Sequence, residues 1–195
     1  MKRTKNPAKE AEYRKRAADL VAQMTLHEKV SQMLSWAPAI ERLGIPAYNW
    51  WSEGIHGVGR AGTATVFPQA IGMAAAFDED MMEQVGNAIG VEARGKYNMC
   101  RAHGDRDIFK GLTVWAPNIN IFRDPRWGRG HETYGEDPTL IAAMGSAYVE
   151  GLQGHGDWAH YVGATGKHFL GYSMSEDAKN IGNQRIPERE LREVH

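Results

Sequence analysis

Residues 112–168 read LTVWAPNINIFRDPRWGRGHETYGEDPTLIAAMGSAYVEGLQGHGDWAHYVGATGKH, and this stretch contains the signals for two strands and the helix between them. It opens at 112–116 on a short apolar run that a proline ends, which predicts a buried strand. Asp137 is a helix N-cap followed by proline at the first helical position, and the apolar helix that it opens stops at Gly154. A second apolar run at 161–165 predicts another strand. A strand, a helix and a strand in this order predict parallel strands joined by a helical crossover.

Signals of the same kind lie before this unit. Thr25 and Glu28 form a capping-box pattern, which predicts a short helix that ends near Leu34. Residues 45–50 predict a short extended segment. Asp78 is the N-cap of a long predicted helix. Because strands and helices alternate along the chain, the predicted fold class is α/β with parallel strands.

Length and composition limit the class of protein. The chain has 195 residues, enough for one domain with a real core but short of the roughly 250 that a complete (β/α)8 barrel needs. Hydrophobic residues make up 42% and charged residues 24%, which argues against a disordered chain. A formal net charge of -1 argues against nucleic-acid binding, and no apolar stretch approaches the ~20 residues of a membrane span. We therefore expect neither nucleic-acid nor membrane partners, and the oligomeric state stays open.

Basic residues concentrate in residues 1–16, which we interpret as a basic N-terminal arm before the main domain at 17–195. As the explanation of these charges, we favour a solvated helix face with a frayed terminus over an arm that binds an anionic surface. No apolar run follows these charges, so the chain shows no secretory signal and we expect a cytoplasmic protein. The single cysteine, Cys100, excludes an internal disulfide bond.

Two short motifs suggest a cofactor or a metal, and both fail on their context. The segment GVGRAG at 57–62 matches the dinucleotide fingerprint, but Pro68 would break the helix that must follow it. The segment HETYG at 131–135 begins like a zinc motif, but Gly135 stands in place of the second histidine. We therefore expect no cofactor and no metal, and an NAD-dependent oxidoreductase is kept only as an alternative.

Polar and aromatic side chains gather after three of the predicted strands. The carboxyl ends of parallel strands meet on one side of an α/β fold, where ligands bind. Carboxylates and cations there form charge-assisted hydrogen bonds to hydroxyls, and tryptophan offers an apolar plate to a sugar ring, so we favour a site for a neutral, polyhydroxylated ligand. The alternative is internal ion pairing, such as Asp124 with Arg126 or Arg129, together with core tryptophans. The three groups are Trp50, Trp51, Ser52, Glu53 and His56; Asn118, Asn120, Arg123, Asp124, Arg126, Trp127, Arg129, His131 and Glu132; and Lys167 and His168.

Six longer motifs are more specific than any of these patterns. They are MTLHEKV at 24–30, NWWSEGIHG at 49–57, APNINI at 116–121, RDPRWGRGHE at 123–132, YGEDP at 134–138 and KHF at 167–169. In this order, and over nearly the whole chain from about residue 17, they resemble the N-terminal domain of glycoside hydrolase family 3. The resemblance implies a TIM-like (β/α) barrel and retaining hydrolysis of β-linked sugars, in oligosaccharides or aryl glycosides, from a non-reducing end.

Carried over by position, the resemblance also implies which residues bind the terminal sugar. Glucoside-cleaving members often have Asp at the position of Glu53, whereas WWSE at 50–53 is more similar to the β-xylosidase and arabinosidase branch. A longer acid can fill the room left by a missing hydroxymethyl group. Glu132 is a secondary candidate, whose alternative role is to orient Arg129. The residues that would bind ring hydroxyls are Glu53, Arg129, Lys167 and His168, with Trp115 flanking the same subsite.

The chain departs from the family pattern at the catalytic pair. A retaining glycosidase needs a nucleophile and an acid/base about 5–5.5 Å apart. In this family the nucleophile is an Asp in a Ser-Asp-Trp-like motif on a later strand, and the acid/base usually comes from a further domain; neither occurs in the 195 residues. The last predicted helix opens at Pro187 without a stop signal before His195. We therefore expect an incomplete barrel, the N-terminal portion only, that is inactive by itself; a non-catalytic sugar-binding module is the alternative.

Overall fold

The structure is a computed structural model that describes residues 7–155, 160–172, 181–183 and 185–193. The helices are α1 (Pro7–Gln23), α2 (Leu26–Ser31), α3 (Ala70–Ala74), α4 (Glu79–Ala102), α5 (Pro138–Gln153) and α6 (Glu188–Glu193). The strands are β1 (Trp36–Ala37), β2 (Tyr48–Asn49), β3 (Thr113–Val114) and β4 (Gly163–Ala164), and 3-10 turns lie at Glu41–Leu43 and Gly130–Glu132. None of the helices in these ranges is long and apolar enough to cross a membrane.

The predicted helix caps are confirmed by their hydrogen bonds. Thr25 Oγ1 accepts a hydrogen bond from the Glu28 amide at 3.2 Å, and the Glu28 carboxylate accepts one from the Thr25 amide at 2.7 Å, which completes the capping box of α2. Asp78 caps α4 and Asp137 caps α5, each through a bond of 2.9 Å from an amide three residues on. Gly154 ends α5 with a φ of 72°.

Three extended segments lie side by side and parallel, in chain order. β3 pairs with β4 in parallel register, with Val114 opposite Ala164. Ser52 forms a parallel bridge to Val114 on the other side of β3, and Asn118 forms one to Lys167 beyond the ends of the strands. α4 connects the first segment to β3, and α5 connects β3 to β4. Two successive parallel crossovers are the repeating unit of a (β/α) barrel, so the predicted incomplete barrel is confirmed.

The pairing of β1 with β2 differs from the predicted all-parallel layout. These strands are antiparallel, with Trp36 opposite Asn49 and Ala37 opposite Tyr48. Their connection holds only the turn Glu41–Leu43, which is too short for the crossover that a parallel pair needs. β3 and β4 are also shorter than the apolar runs at 112–116 and 161–165 that predicted them. Beyond these two strands the parallel pairing continues only as isolated bridges.

The core lies between the parallel segments and the packed pair of α4 and α5. Gly86 of α4 and Gly151 of α5 let the two backbones approach closely, since a Cβ on Gly151 would lie 2.0 Å from the Glu83 carbonyl oxygen. The buried Tyr148 hydroxyl donates to the Gly54 carbonyl oxygen, which ties α5 to the first parallel segment. The side chains that fill the core include Met82, Ile89, Val114, Ala116, Met144, Leu152 and Val162.

The helix α1 buries none of its residues and contains the predicted boundary between residues 16 and 17. Residues 1–6 of the predicted basic arm lie outside the described residues. The Arg42 guanidinium donates to the Gln23 carbonyl oxygen at 2.9 Å and binds the Glu28 carboxylate, so it joins α1 and α2 to the turn that follows β1. Hydrogen bonds from Arg42 and from the Thr25 amide lower the pKa of Glu28 to about 2.

Candidate functional site

The predicted strand-end groups come together at one edge of the parallel segments. Ser52 bridges to β3, and Lys167 bridges to Asn118 just beyond β3, so the first and third segments flank the end of that strand. Glu53 contacts Lys167 across this end. Arg129 joins the same edge from the loop that follows β3, through its contact with the histidine after Lys167. We call Glu53, Arg129, Lys167 and His168 the strand-end cluster.

Both carboxylate oxygens of Glu53 are held by neighbours. Oε1 accepts a hydrogen bond from Trp51 Nε1 at 2.8 Å, and Oε2 lies 3.7 Å from Lys167 Nζ. The Glu53 carbonyl oxygen accepts a bond from the Gly59 amide at 3.0 Å, which fixes the backbone beneath the side chain. The side chain is 29% exposed, so a ligand can reach a carboxylate whose direction is already set.

Lys167 is the buried cation of the strand-end cluster. Its side chain is 10% exposed, and burial lowers the pKa of the ammonium group below its ordinary value. The charges of Glu53 and Glu132 oppose this lowering, while the Arg129 charge adds to it. The Lys167 amide donates to the Pro117 carbonyl oxygen at 3.0 Å, which fixes the main chain. A partly desolvated ammonium group of this kind is a strong donor to a ligand hydroxyl.

Arg129 and Glu132 form a two-point ion pair. Arg129 Nε donates to Oε1 at 2.8 Å and Nη2 donates to Oε2 at 2.6 Å. This pairing raises the pKa of Arg129. Burial by itself would raise the pKa of Glu132, but the hydrogen bonds and charge of Arg129 outweigh burial and hold that pKa below its ordinary value. Glu132 is therefore ionised at neutral pH, and its contact orients the guanidinium, which is the alternative role that the sequence suggested.

His168 is held through both ring nitrogens. Nδ1 lies 2.8 Å from Asn120 Oδ1, and Nε2 lies 3.3 Å from Arg129 Nη1. The imidazole also stacks on Tyr172 with ring centroids 3.8 Å apart, and the Tyr172 hydroxyl accepts a bond from Arg129 Nη1 at 3.0 Å. Sequence reasoning assigned no role to Asn120, although it stood among the strand-end polar residues. No sequence pattern indicated a role for Tyr172, because its contact with Arg129 depends on the path of the chain after His168.

An aromatic pair, Trp51 and Trp115, flanks Glu53. Their rings stack with centroids 4.5 Å apart and an interplanar angle of 9°. Trp115 Nε1 donates to the Trp50 carbonyl oxygen at 2.7 Å, and the Trp115 amide donates to the Ser52 carbonyl oxygen at 2.8 Å. Trp51 is 37% exposed and so presents apolar surface beside the carboxylate. The expected aromatic flank is therefore a stacked pair rather than Trp115 alone.

Other members of the three predicted groups have structural contacts. Asp124 and Arg126 form an exposed ion pair with hydrogen bonds of 2.9 and 2.5 Å, as the ion-pairing alternative predicted. Trp127 belongs to the interior, at 4% exposure. His56 Nδ1 lies 2.8 Å from the Phe67 carbonyl oxygen and fixes the chain that leaves the first segment. Part of the charge and aromatic content of these groups thus serves the fold.

The structure also bears on the cofactor motifs. The glycine segment at 57–62 leads into chain without regular secondary structure, and the next helix begins only at Ala70, so no helix N-terminus follows the loop as a dinucleotide site requires. Within the described ranges, no three His, Cys, Asp or Glu side chains lie together as a metal site would need. Apolar grooves of about 540 and 570 Å³ lie along α5, and none of the strand-end cluster lines them.

Comparison with known proteins identifies relatives of this chain. The protein-family model described as Glycosyl hydrolase family 3 N terminal domain matches residues 16–195. The chain is 53% identical over 150 residues to the probable β-D-xylosidase 7 of Arabidopsis thaliana. The aligned region covers 72% of this chain and 19% of that protein. It is 45% identical over 174 residues to the xylan 1,4-β-xylosidase of Xylanibacter ruminicola, over 87% of this chain and 20% of that protein. The chain thus spans about one-fifth of the length of these curated relatives.

Solved structures agree with the fold described above. A GH3 exo-β-xylosidase in complex with a xylobiose aziridine activity-based probe matches with a TM-score of 0.71 and 35% identity, over 83% of this chain and 21% of that one. The β-glucosidase DesR from Streptomyces venezuelae, in complex with D-glucose, matches with a TM-score of 0.63 and 31% identity, over 84% of this chain and 20% of that one. The parallel segments and their helical crossovers therefore occur in larger proteins of known structure.

Proposed function

This chain belongs to glycoside hydrolase family 3, and from that premise we propose that its strand-end cluster binds the terminal sugar of a β-linked substrate. The whole protein would then be a retaining exo-β-glycosidase of the β-xylosidase type, acting on β-linked oligosaccharides or aryl glycosides. In this proposal Glu53, Arg129, Lys167 and His168 bind ring hydroxyls, and Trp115 flanks the ring together with its stacked partner.

The observation that carries the proposal is the contact of Glu53 with Lys167 beside the pair of Arg129 and His168. A hydroxyl can donate to the Glu53 carboxylate and accept from the Lys167 ammonium group at the same time. An anionic ligand would meet the negative charge of Glu53, and a cationic ligand would meet the positive charges of Lys167 and Arg129. The mixed charge therefore favours a neutral polyol, and charge-assisted bonds to it are stronger than neutral ones.

The preference for a pentose rests on Glu53 and on the names of the relatives. The two curated relatives are named as β-xylosidases, whereas one of the structural relatives is a β-glucosidase. Glu is one methylene longer than Asp, and Trp51 Nε1 holds Glu53 Oε1 in place. In the proposed pose this longer carboxylate fills the room that the hydroxymethyl group of a hexose would need.

The substitution Glu53→Asp tests this preference. Titration calorimetry with D-xylose and D-glucose should show tighter binding of xylose by the unchanged chain. Glu53→Asp should reduce or reverse the ratio of the xylose affinity to the glucose affinity. Glu188→Asp, on the exposed helix α6, is the matched control and should leave the ratio unchanged. An unchanged ratio in Glu53→Asp would contradict the role given to Glu53.

The cluster supplies binding, and we place the nucleophile and the acid/base outside residues 1–195. Glu132 is ionised and engaged by Arg129, so it has no proton to give as a general acid. In this proposal the Glu53 carboxylate, directed by Trp51 and Lys167, accepts from a ligand hydroxyl. We therefore expect the 195-residue chain to release no nitrophenol from a nitrophenyl β-D-xyloside. Turnover that disappears in Glu132→Gln or Asp124→Asn would contradict this assignment.

A further inference from the structure

Tyr172 contacts two members of the strand-end cluster at once. Its ring stacks on the His168 imidazole with centroids 3.8 Å apart and an interplanar angle of 14°. Its hydroxyl oxygen accepts a hydrogen bond of 3.0 Å from Arg129 Nη1, and the same nitrogen lies 3.3 Å from His168 Nε2. The polar ends of the two stacked rings therefore meet at one nitrogen of Arg129, within the strand-end cluster.

The Arg129 guanidinium has little hydrogen-bonding capacity left for a ligand. Of its five N–H groups, one on Nε and one on Nη2 donate to Glu132. The two N–H groups of Nη1 face Tyr172 and His168. Among the described residues, these contacts leave one N–H of Nη2 without a partner. Most of the influence of this charge can therefore reach a ligand only through the groups that the guanidinium binds.

The Tyr172 hydroxyl is able to pass this influence on, because a phenol both accepts and donates. Its oxygen accepts from Arg129, and no acceptor for its hydrogen lies in the part of the chain that the structure describes. A hydroxyl that accepts from a charged group is polarised, which makes it a stronger donor. The residue is half-buried rather than enclosed, so its hydrogen is a donor open to a ligand.

The direction of the Tyr172 ring is set by packing on both sides. His168 covers one face of the ring, and Trp127 meets it at an interplanar angle of 76° with centroids 6.4 Å apart. Trp127 is itself only 4% exposed, so it is a fixed neighbour. The hydroxyl is therefore placed beside Arg129 before any ligand arrives, and binding need not pay to order this side chain.

We infer that Tyr172 is a further sugar-binding residue, whose hydroxyl, polarised by Arg129, donates to one ring hydroxyl of the ligand. The phenol brings no charge of its own, which suits a neutral polyol. The open, polarised donor is a property of the chain alone, whereas the sugar that accepts from it rests on the proposed function.

Hydrogen exchange at the Tyr172 hydroxyl tests the open donor without a ligand or a variant. The chain is labelled with 13C at tyrosine Cζ, and the signal of Tyr172, one of 7 tyrosines, is assigned through its ring contact with His168. In mixed H2O and D2O, a fast-exchanging hydroxyl gives one averaged Cζ signal, whereas a hydroxyl bound to a protein acceptor and protected from water gives two. We expect one signal. Two signals would show that a protein group already takes the hydrogen, which overturns the inference.

Tyr172→Phe then tests the contact with a sugar, because it keeps the stacked ring and loses only the hydroxyl. Affinity for methyl β-D-xyloside should fall about 5- to 10-fold, the loss expected for one hydrogen bond from a polarised donor. For the monodeoxy analogue that lacks the contacted hydroxyl, the variant and the unchanged chain should bind equally. Tyr13→Phe, on the helix α1 that buries none of its residues, is the matched control and should change no affinity.

The pattern over the monodeoxy analogues separates a ligand contact from a structural role. An equal loss for every analogue would mean that the hydroxyl only holds Arg129, and no loss for any sugar would mean that it takes no part in binding; either result overturns the inference. If the hydroxyl exchanges fast but the unchanged chain binds no sugar, the open donor stands, whereas the proposed function and the sugar contact of Tyr172 both fall.

Discussion

Lys167 Nζ lies 3.7 Å from Glu53 Oε2, although the two residues belong to the third and the first of the three parallel segments. The end of β3 lies between these segments, and strands two places apart in a sheet are roughly 9–10 Å apart. Two long side chains therefore close over the end of the middle strand. This contact joins charges that are far apart in the sequence, and it gives the edge of the partial barrel its mixed positive and negative character.

Glu53→Gln will lower the pKa of Lys167 further. Burial already lowers that pKa, and Glu53 is the foremost of the charges that oppose burial. Between the folded pKa of Lys167 and its unfolded value of about 10.4, the unfolded state binds more protons, so stability rises with pH through this window. Losing Glu53 extends the window to lower pH. A titration by NMR of 13C-labelled lysine measures the pKa, with Glu188→Gln as control, and an unchanged Lys167 pKa would rule out the ion pair.

Glu132→Ala will destabilise the chain and reduce the dependence of its stability on pH in acid. The variant leaves Arg129 partly buried without its carboxylate, at a cost of about 2–3 kcal/mol. The folded pKa of Glu132 lies below its unfolded value, so the stabilisation is complete above about pH 4.3 and is lost as the pH falls through the folded pKa. Urea unfolding at several pH values measures both effects. The exposed Glu188→Ala should show neither, and equal behaviour of the two variants would contradict the buried pair.

Gly151→Ala will disrupt the packing of α4 against α5. Its Cβ would lie 2.0 Å from the Glu83 carbonyl oxygen and 2.8 Å from the Asn87 amide nitrogen, and helix backbone cannot move aside as a side chain can. We expect a loss of about 3 kcal/mol in the free energy of unfolding. Gly95→Ala, on the exposed face of α4 with nothing within 4 Å, should instead stabilise by about 0.5–1 kcal/mol. Thermal melting compares the two, and a tolerated Gly151→Ala would show that the helices lie farther apart.

Trp51→Phe will weaken sugar binding without disturbing the fold. The phenyl ring keeps an aromatic surface against Trp115, but the donor to Glu53 Oε1 is lost. The carboxylate is then less firmly directed, and xylose affinity should fall about 3- to 10-fold, as for one lost hydrogen bond to a charged group. Calorimetry checks the affinity and circular dichroism checks the fold. Trp50→Phe is the control, and an equal fall there would point to general loosening of the segment.

Local signals predicted the helix ends and part of the site. Thr25, Asp78 and Asp137 act on amides three residues away, so a few neighbouring residues determine these caps. The resemblance offered Glu132 as a residue that orients Arg129, and the two side chains, three residues apart in the sequence, do pair. The antiparallel pairing of β1 with β2 was not predicted, because a short connection rather than any apolar pattern decides strand direction there.

The long-range part of the site could be predicted only as a set of residues, without its contacts. The resemblance identified Glu53 and Lys167 as candidates, but only the order of the parallel segments reveals that they meet. Asn120 contacts His168 because the chain after β3 pairs with the chain after β4. Tyr172 contacts Arg129 because of a turn that no local pattern predicted.

The most direct test of this account is whether D-xylose binds at the contact between Glu53 and Lys167. The 15N-labelled chain is titrated with D-xylose, and the amide and His168 imidazole signals are followed in the unchanged chain, in Glu53→Gln and in Glu188→Gln. We expect saturable chemical-shift changes confined to the surroundings of Glu53, Lys167 and His168, which are lost in Glu53→Gln and kept in Glu188→Gln. Saturable shifts elsewhere, equal binding by Glu53→Gln, or no saturable shift at all would contradict it.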